Sequence, residues 1–396
     1  MKRNSAIGRI AAFATATVLL AGCQIIPNAS RPTASAPQPP QTTASAPQPT
    51  AEPSATALPA GDSARHRVAL LLPMSGENGK VGNSIANATM MAILDTNATD
   101  LRITTYDTAG GARAAARRAV EDGNKLILGP LVGSNVTQVL AEARPANVPI
   151  ITYSNDASVA AADVLVMGQV PAQSIVRTVG YARERGARNF ASIVPFGDYG
   201  TQVADAFATA VRDAGGRIVA NESYERGNTS IVGASRRIAQ NGGYDTVLVA
   251  DGSRLAALAA NELRPRGQGT TQLLGTELLS GEAGVTRTPS MRGMVFSAIS
   301  DQRFKRFSES YNERFGEQPY RIATLGYDSV LLTLRVARDW KTGRDFPTGQ
   351  LRDSGGFLGL DGPFRFGRSG VIERAMEVRE IRDGQVVIVD PAPTSF

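Results

Sequence analysis

Residues 68–73 read Val-Ala-Leu-Leu-Leu-Pro, an unbroken apolar run that decides the fold class of this chain. A strand that is apolar at every position is buried on both faces, as in a parallel sheet covered by helices on each side. Similar runs follow at 101–106, 125–129 and 148–152, and a segment of helical character separates each from the next. Because parallel strands need such crossovers, the alternation predicts a doubly wound α/β sheet.

A second alternating set predicts a second doubly wound lobe, so that the fold class is α/β with two doubly wound lobes. Its predicted strands cover 190–194, 217–220, 246–250 and 272–275. Late helices at 304–315 and 322–340 and a tail of short strands would return to the two lobes. We expect lobe 1 to comprise 65–171 and about 302–345, and lobe 2 to comprise 172–301 and about 346–390.

The N-terminal segment has the pattern of an export signal. Lys2 and Arg3 precede an apolar stretch over 10–20, too short to span a membrane stably. It ends in Leu20-Ala-Gly-Cys23, which resembles the bacterial lipobox and implies removal of 1–22 and lipidation of Cys23. The alternative is an ordinary signal peptide followed by an unrelated cysteine. Because Gln24 rather than aspartate follows, the resemblance favours a periplasmic protein anchored to the outer rather than the inner membrane, through its lipid only.

The segment 23–64 differs in composition from the remainder of the chain. It consists mainly of Pro, Ala, Ser, Thr and Gln, and Thr33-Ala-Ser-Ala-Pro-Gln-Pro39 recurs at 43–49. Such a segment buries too little apolar surface to fold, which predicts a disordered linker with polyproline character. At about 3.1 Å per residue, roughly 35 residues would reach about 100 Å. Two interpretations remain open: a simple spacer, or a tether that carries the body towards the cell wall.

Composition excludes several classes of function. Removal of 1–22 would lower the formal net charge from +6 to about +3, and no basic block suggests nucleic acid. The sequence has one cysteine and one histidine, His66, which we place at the disordered margin. These counts argue against a metal site, a disulfide framework and histidine-assisted catalysis. No Gly-rich phosphate loop or Gly-x-Ser-x-Gly motif is present, so we expect a non-catalytic protein without a cofactor.

Seven short motifs occur in an order that resembles the type I periplasmic binding protein fold of the leucine-binding-protein class. They are Pro73-Met-Ser-Gly76 after the first strand, Asp107-Thr108, Gly129-Pro130, Val148-Pro-Ile150, Asp198-Tyr-Gly200, Tyr327-Asp328 and Phe357-Leu-Gly359. The resemblance covers roughly 66–390. Within that class the chain resembles the lipoproteins called penicillin-binding protein activators, through 67–76, Gly129-Pro-Leu131 and the helix after Tyr199.

This resemblance implies two functions. The favoured one is activation of a peptidoglycan synthase, a penicillin-binding protein, by protein contact. The alternative is a substrate-binding protein for an amino acid or similar solute that serves an ABC permease or a sensor. Amino-acid receptors commonly place an aromatic residue in the loop after the first strand, but 75–82 contains none. After the fourth strand this chain has the bulky Tyr153 where receptors place small residues.

By the same resemblance, a small zwitterion would sit between the lobes. In such folds ligands bind beyond the carboxyl ends of the strands. The expected ligand-binding residues are Ser75, Gly76, Ser134, Tyr153, Ser154, Asn155, Phe196, Tyr199, Glu277, Tyr327 and Asp328. Hydroxyl and backbone N–H groups would hold a carboxylate, and Glu277 or Asp328 would pair with an amino group. Each also has a structural interpretation, since serines cap turns and tyrosines pack at rims.

Overall fold

A computed structural model of the 396-residue chain describes residues 64–264 and 270–396. The predicted signal peptide, Cys23 and all but the last residue of the predicted linker lie outside the described residues. The strands are β1 His66–Leu72, β2 Leu101–Asp107, β3 Leu126–Leu128, β4 Ile150–Thr152, β5 Val164–Val166, β6 Asn189–Pro195, β7 Arg217–Tyr224, β8 Thr246–Val249, β9 Gln272–Leu274, β10 Val295–Ala298, β11 Phe357–Gly359, β12 Gly362–Phe366, β13 Ile372–Arg374, β14 Glu377–Arg382 and β15 Gln385–Asp390. The helices are α1 Gly79–Thr96, α2 Ala112–Glu121, α3 Val136–Ala143, α4 Pro171–Glu184, α5 Asp198–Asp213, α6 Ser230–Asn241, α7 Ser253–Leu263, α8 Gln302–Phe315 and α9 Thr324–Ala337.

The first lobe is built on a parallel sheet of order β2-β1-β3-β4-β5. Alternate residues of β1 pack into two different cores, because successive side chains of a strand point to opposite faces. Val68 and Leu70 pack with α1 and α9, whereas Ala69 and Leu71 pack with α2 and α3. The unbroken apolar run is therefore explained by burial on both faces.

The second lobe repeats this construction around a sheet of order β15-β14-β10-β9-β8-β6-β7. Strands β6 to β10 are parallel, and β14 and β15 add antiparallel strands at one edge. Ile193 on β6 faces the core shared with α6 and α7, whereas Phe190 on the same strand faces α4 and α5. The two-lobed α/β fold class predicted from the sequence is confirmed.

The chain passes between the lobes after β5, after β10 and after β13. Helix α8 returns to the first lobe, where Phe307 and Tyr311 pack against Met91 of α1. The sequence predicted that about 346–390 belongs to the second lobe, and this expectation needs correction for 346–374. Aromatic residues such as Phe364 bury in the first lobe's core, and Val371 forms a bridge with Val166 of β5. Within the tail, β14 and β15 join the second sheet.

His66 is not at a disordered margin, as the sequence had suggested. It begins β1, it is buried, and its ring stacks on Trp340 with 4.1 Å between ring centroids. Burial lowers the pKa of the His66 imidazole. The histidine is therefore part of the first lobe's packing.

Across 64–264 and 270–396, every helix is too short or too polar to cross a membrane.

Candidate functional site

A cavity of about 390 Å³ lies between the lobes, at the carboxyl ends of their parallel strands. Its lining residues are Asn78, Val81, Leu131, Val132, Tyr153, Asn155, Ile322 and Leu325 from the first lobe, Gln169 from the first crossing, and Tyr199, Glu277 and Leu278 from the second lobe. This is the position where open α/β sheets bind ligands. Cavities of about 360 and 420 Å³ lie elsewhere, the first beside β15 and the second beside the C-terminal Thr394 and Ser395.

Glu277 is the charged residue of this lining, and its carboxylate is held by its own lobe. Ser174 Oγ donates to Oε2 at 2.8 Å, and the Tyr199 hydroxyl donates to Oε1 at 3.2 Å. The Glu277 amide in turn donates to Ser174 Oγ at 3.1 Å. Burial raises the pKa of Glu277, and the hydrogen bonds from Ser174 and Tyr199 counter part of that rise. The carboxylate is therefore positioned before any ligand arrives.

Tyr199 links Glu277 to a second set of charges. Its hydroxyl shares a 2.9 Å hydrogen bond with Thr276 Oγ1, and burial raises the pKa of the phenol. The Arg226 guanidinium lies 4.9 Å from the centre of the Tyr199 ring and forms a 2.8 Å ion pair with Asp251. The Asp251 carboxylate, which also accepts from the Tyr224 hydroxyl, therefore balances the charge of Arg226 on the second lobe.

Tyr153 contributes a ring rather than a hydroxyl to the cavity. The side chain is buried, and its oxygen lies 2.7 Å from Ser329 Oγ on α9. Burial raises the pKa of this phenol as well. The hydroxyl is thus committed inside the first lobe.

The three predicted serines and Gly76 lie outside the lining of this cavity. Ser75, Gly76 and Ser134 are exposed. Ser154 is buried, but its Oγ accepts the backbone N–H of Asp156 at 3.0 Å, which is a local turn contact. Phe196 is also outside the lining, and its side chain is 61% exposed.

Tyr327 and Asp328 must be removed from the predicted cleft wall. The Tyr327 hydroxyl donates to Asp95 on α1 at 3.2 Å, and its ring packs edge-on against Phe307. Asp328 is fully buried and accepts the backbone N–H of Leu360 at 2.6 Å. Both residues therefore stabilise the first lobe through α9.

Sequence reasoning missed Asn78, the aliphatic lining residues and two further polar residues at the site, Ser174 and Gln169. Ser174 lies in the first turn of α4, directly after the chain crosses between lobes, and this position was the available signal. Gln169 lies in the crossing itself, and its buried Nε2 has no hydrogen-bond partner within the described part of the chain. A buried amide without a partner provides a hydrogen-bonding group for a ligand.

Comparisons with known proteins agree with this fold. The family model described as periplasmic binding protein matches residues 66–385. An uncharacterized protein of Rickettsia prowazekii is 28% identical over 177 residues, which are 44% of this chain and 47% of that protein. The chain thus matches about half the length of that relative.

Two solved structures share the fold. A protein assigned to branched-chain amino acid ABC transport, from Rhodospirillum rubrum, superimposes with a TM-score of 0.72 at 20% identity, covering 82% of this chain and all of that one. LpoA from Haemophilus influenzae superimposes with a TM-score of 0.64 at 20% identity, covering 82% of this chain and 59% of that one.

Proposed function

This chain belongs to the periplasmic binding protein family, and from that premise we propose that it binds a small solute between its lobes. The observation that carries the proposal is Glu277, a carboxylate fixed by Ser174 and Tyr199 at the wall of a 390 Å³ cavity. A desolvated acid that faces a cavity costs stability, which favours a role in binding over a role in folding. The Rhodospirillum structure, assigned to amino-acid transport, supports this function by analogy of fold.

Thermal unfolding of the purified full chain against a panel of amino acids, amines and aromatic acids tests this function. A ligand at 100 times its dissociation constant adds about 2.7 kcal/mol to the free energy of unfolding. Ser174→Ala should weaken binding, because it removes the donor to Glu277 Oε2. Ser134→Ala makes the same chemical change outside the cavity lining and should bind as the wild type does. Equal losses in both variants would contradict the cavity assignment.

We retain activation of a peptidoglycan synthase as a second candidate, favoured by the lipobox-like Leu20-Ala-Gly-Cys23 and the long Pro-rich segment after it. The fold likeness to LpoA, a protein of the activator class that the sequence resembles, is compatible with this function. Its test is the rate of glycan polymerisation by a purified penicillin-binding protein with and without the full chain. Stimulation that persists in Glu277→Gln would favour this candidate over solute binding.

A further inference from the structure

Strand β15 forms one edge of the second lobe's sheet, and its composition is unusual for an edge. Residues 386–389 are consecutive β-branched apolar residues, and the side chains of Val386 and Ile388 are 37% and 49% exposed. Edge strands are normally protected by charged side chains, prolines or bulges, because their free N–H and C=O groups can pair with another chain. Strand β7, at the other edge of the same sheet, carries Arg217 and Glu222. At its apolar positions β15 has no such protection.

The turn before β15 determines which backbone groups of the strand face the free edge. Asp383 and Gly384 have φ values of 50° and 76°, as in a two-residue type I′ turn. Arg382 and Gln385 are paired across this turn. The pair that closes such a turn exchanges hydrogen bonds, and bonded pairs alternate with non-bonded pairs along an antiparallel ladder.

This alternation leaves two residues of β15 with outward backbone groups. Gln385 and Val387 direct their N–H and C=O groups to β14, whereas Val386 and Ile388 direct theirs away from it. Val389 is the extra residue of a bulge, which lies beyond this stretch. Within 64–264 and 270–396 no further strand follows β15 in the sheet. Two N–H and two C=O groups are therefore available for a pairing strand.

A second copy of β15 matches this edge in both backbone and side chains. A two-fold axis perpendicular to the sheet places two β15 strands antiparallel and keeps their corresponding faces on one side. With the axis at Val387, Val386 of each copy lies opposite Ile388 of the other, and each of these two pairs exchanges two hydrogen bonds. The exposed apolar side chains then become cross-strand pairs of β-branched residues, which stabilise a sheet.

The charges near this edge also permit a second copy. The stretch 385–389 contains no charged residue, and Asp390 at its end forms a 2.7 Å ion pair with Arg177 of α4. In this register the two copies of Asp390 are six residues, or about 20 Å, apart, so like charges do not meet. The chain's own segment 27–63 is a poor occupant, because its frequent prolines cannot donate the hydrogen bonds of a sheet.

We propose that β15 is a docking surface for a second copy of this chain, and that two second lobes join into one continuous sheet through their β15 strands. One pair of short edge strands forms a small interface, so the dimer dissociates readily, with a dissociation constant on the order of 10 µM. This inference is independent of both candidate functions, because it uses neither the cavity between the lobes nor Glu277.

Sedimentation equilibrium of the purified full chain between about 1 and about 200 µM tests the inference. We expect the average mass to rise with concentration towards twice that of the monomer. Ile388→Lys places a charge in the pairing, and Val386→Pro removes an outward N–H group while keeping the ladder to β14. Each should raise the dissociation constant at least about tenfold, which corresponds to about 1.4 kcal/mol. Hydrogen exchange of the amides in 385–390 should slow as the concentration rises.

The control variant is Met90→Lys, which replaces an exposed apolar residue by lysine on α1 of the first lobe and should dimerise as the wild type does. Thermal unfolding shows which variants fold, and if neither edge variant does, the hydrogen exchange of the wild type decides. A wild type that stays monomeric up to about 200 µM would overturn the inference. So would a dimer that persists in both edge variants, one that Met90→Lys weakens equally, or exchange in 385–390 that does not depend on concentration.

Discussion

Asp328 shows how the surroundings of a single carboxyl group change its chemistry. Its side chain is fully buried in the first lobe and accepts the backbone N–H of Leu360. Burial, and then the negative charge of Asp361, raise the pKa of Asp328 to about 7, and the nearby Arg374 opposes this rise. The group therefore gains a proton in the folded protein at a pH where an unfolded chain would remain ionised.

Asp328→Asn should change how stability depends on pH. Because the folded pKa lies above the unfolded value of 3.8, the stability that Asp328 contributes is fully present below about pH 4 and is lost as the pH rises through about 7. We expect the wild-type melting temperature minus that of Asp328→Asn to fall steadily between those limits. Thermal unfolding across this range measures it, with the exposed Asp205→Asn as the control. A difference that does not vary with pH would contradict the role of Asp328.

Asp328 also shows which part of the site the sequence could not predict. Glu277 and Tyr199 were predicted because each follows the end of a parallel strand, and this position fixes which edge of the sheet they reach. Tyr327 and Asp328 lie on α9, which does not follow a strand, and their direction depends on the angle at which α9 packs against α1. That angle is set by tertiary contacts such as the close approach of Gly326 to Ile85, which no local pattern encodes.

At the scale of elements, one close contact positions the helix that carries Tyr199. A Cβ atom on Gly200, in the first turn of α5, would lie 1.6 Å from the carbonyl oxygen of Pro195 at the end of β6. The first lobe uses the same device, since a Cβ on Gly82 of α1 would lie 1.9 Å from the Pro73 carbonyl oxygen. Both helices can begin this close to their strands only because glycine stands there.

Gly200→Ala should therefore displace the start of α5 and weaken ligand binding together with stability. We expect a loss of about 1–3 kcal/mol in the free energy of unfolding, the usual cost of an overpacked position. Gly180→Ala on α4 is the matched control, because a Cβ there meets no atom within 4 Å and alanine favours helix. Urea unfolding and ligand titration of both variants check this. Equal stability in the two variants would show that the contact at Pro195 relaxes without cost.

Strand β14 contains two arginine–glutamate pairs of the same spacing in different surroundings. Arg379 lies 2.7 Å from Glu377, and both side chains are buried beside the second crossing, where Arg379 also bonds Asp301 at 2.6 Å. Arg382 lies 2.6 Å from Glu380, but its side chain is 54% exposed. The strand thus provides its own comparison of a buried and an exposed ion pair.

Arg379→Ala should destabilise the protein far more than Arg382→Ala. Removing Arg379 leaves the buried Glu377 carboxylate unpaired, which costs about 3–5 kcal/mol, whereas an exposed pair contributes at most about 1 kcal/mol. The difference should be visible in the midpoints of urea unfolding of the two variants. Similar midpoints would mean that water reaches Glu377 once Arg379 is gone.

Sequence periodicity located most of these elements but missed α7 and the short strands β5, β10, β11 and β13. The parallel pairing of β8 with β9 requires a crossover between them, and α7 is that crossover, so topology implied a helix that was not predicted. Strand β5 has three residues and β10 has four, which is too short for a periodic pattern to emerge.

At the scale of the whole molecule, the two lobes followed from the repeated alternation of strands and helices, whereas the position of the tail did not. The segment 346–374 was expected on the second lobe, but Phe364 and Phe366 bury in the first. Short strands joined by turns carry no information about which distant surface they cover. That choice depends on long-range burial, which becomes visible only once both lobes exist.

Three crossings connect the two lobes. The two candidate functions differ most in whether they require one lobe to move relative to the other. A cavity lined by both lobes allows a ligand bound to Glu277 to favour a closed arrangement, because ligand contacts with both walls form only there. We expect the radius of gyration from small-angle X-ray scattering to decrease when the full chain is saturated with the compound that stabilises it most in the thermal-unfolding panel. Glu277→Gln should show no decrease at the same concentration. A scaffold that acts through its outer surface has no such requirement, so an unchanged radius in the saturated wild type would favour the synthase-activator function over the solute receptor.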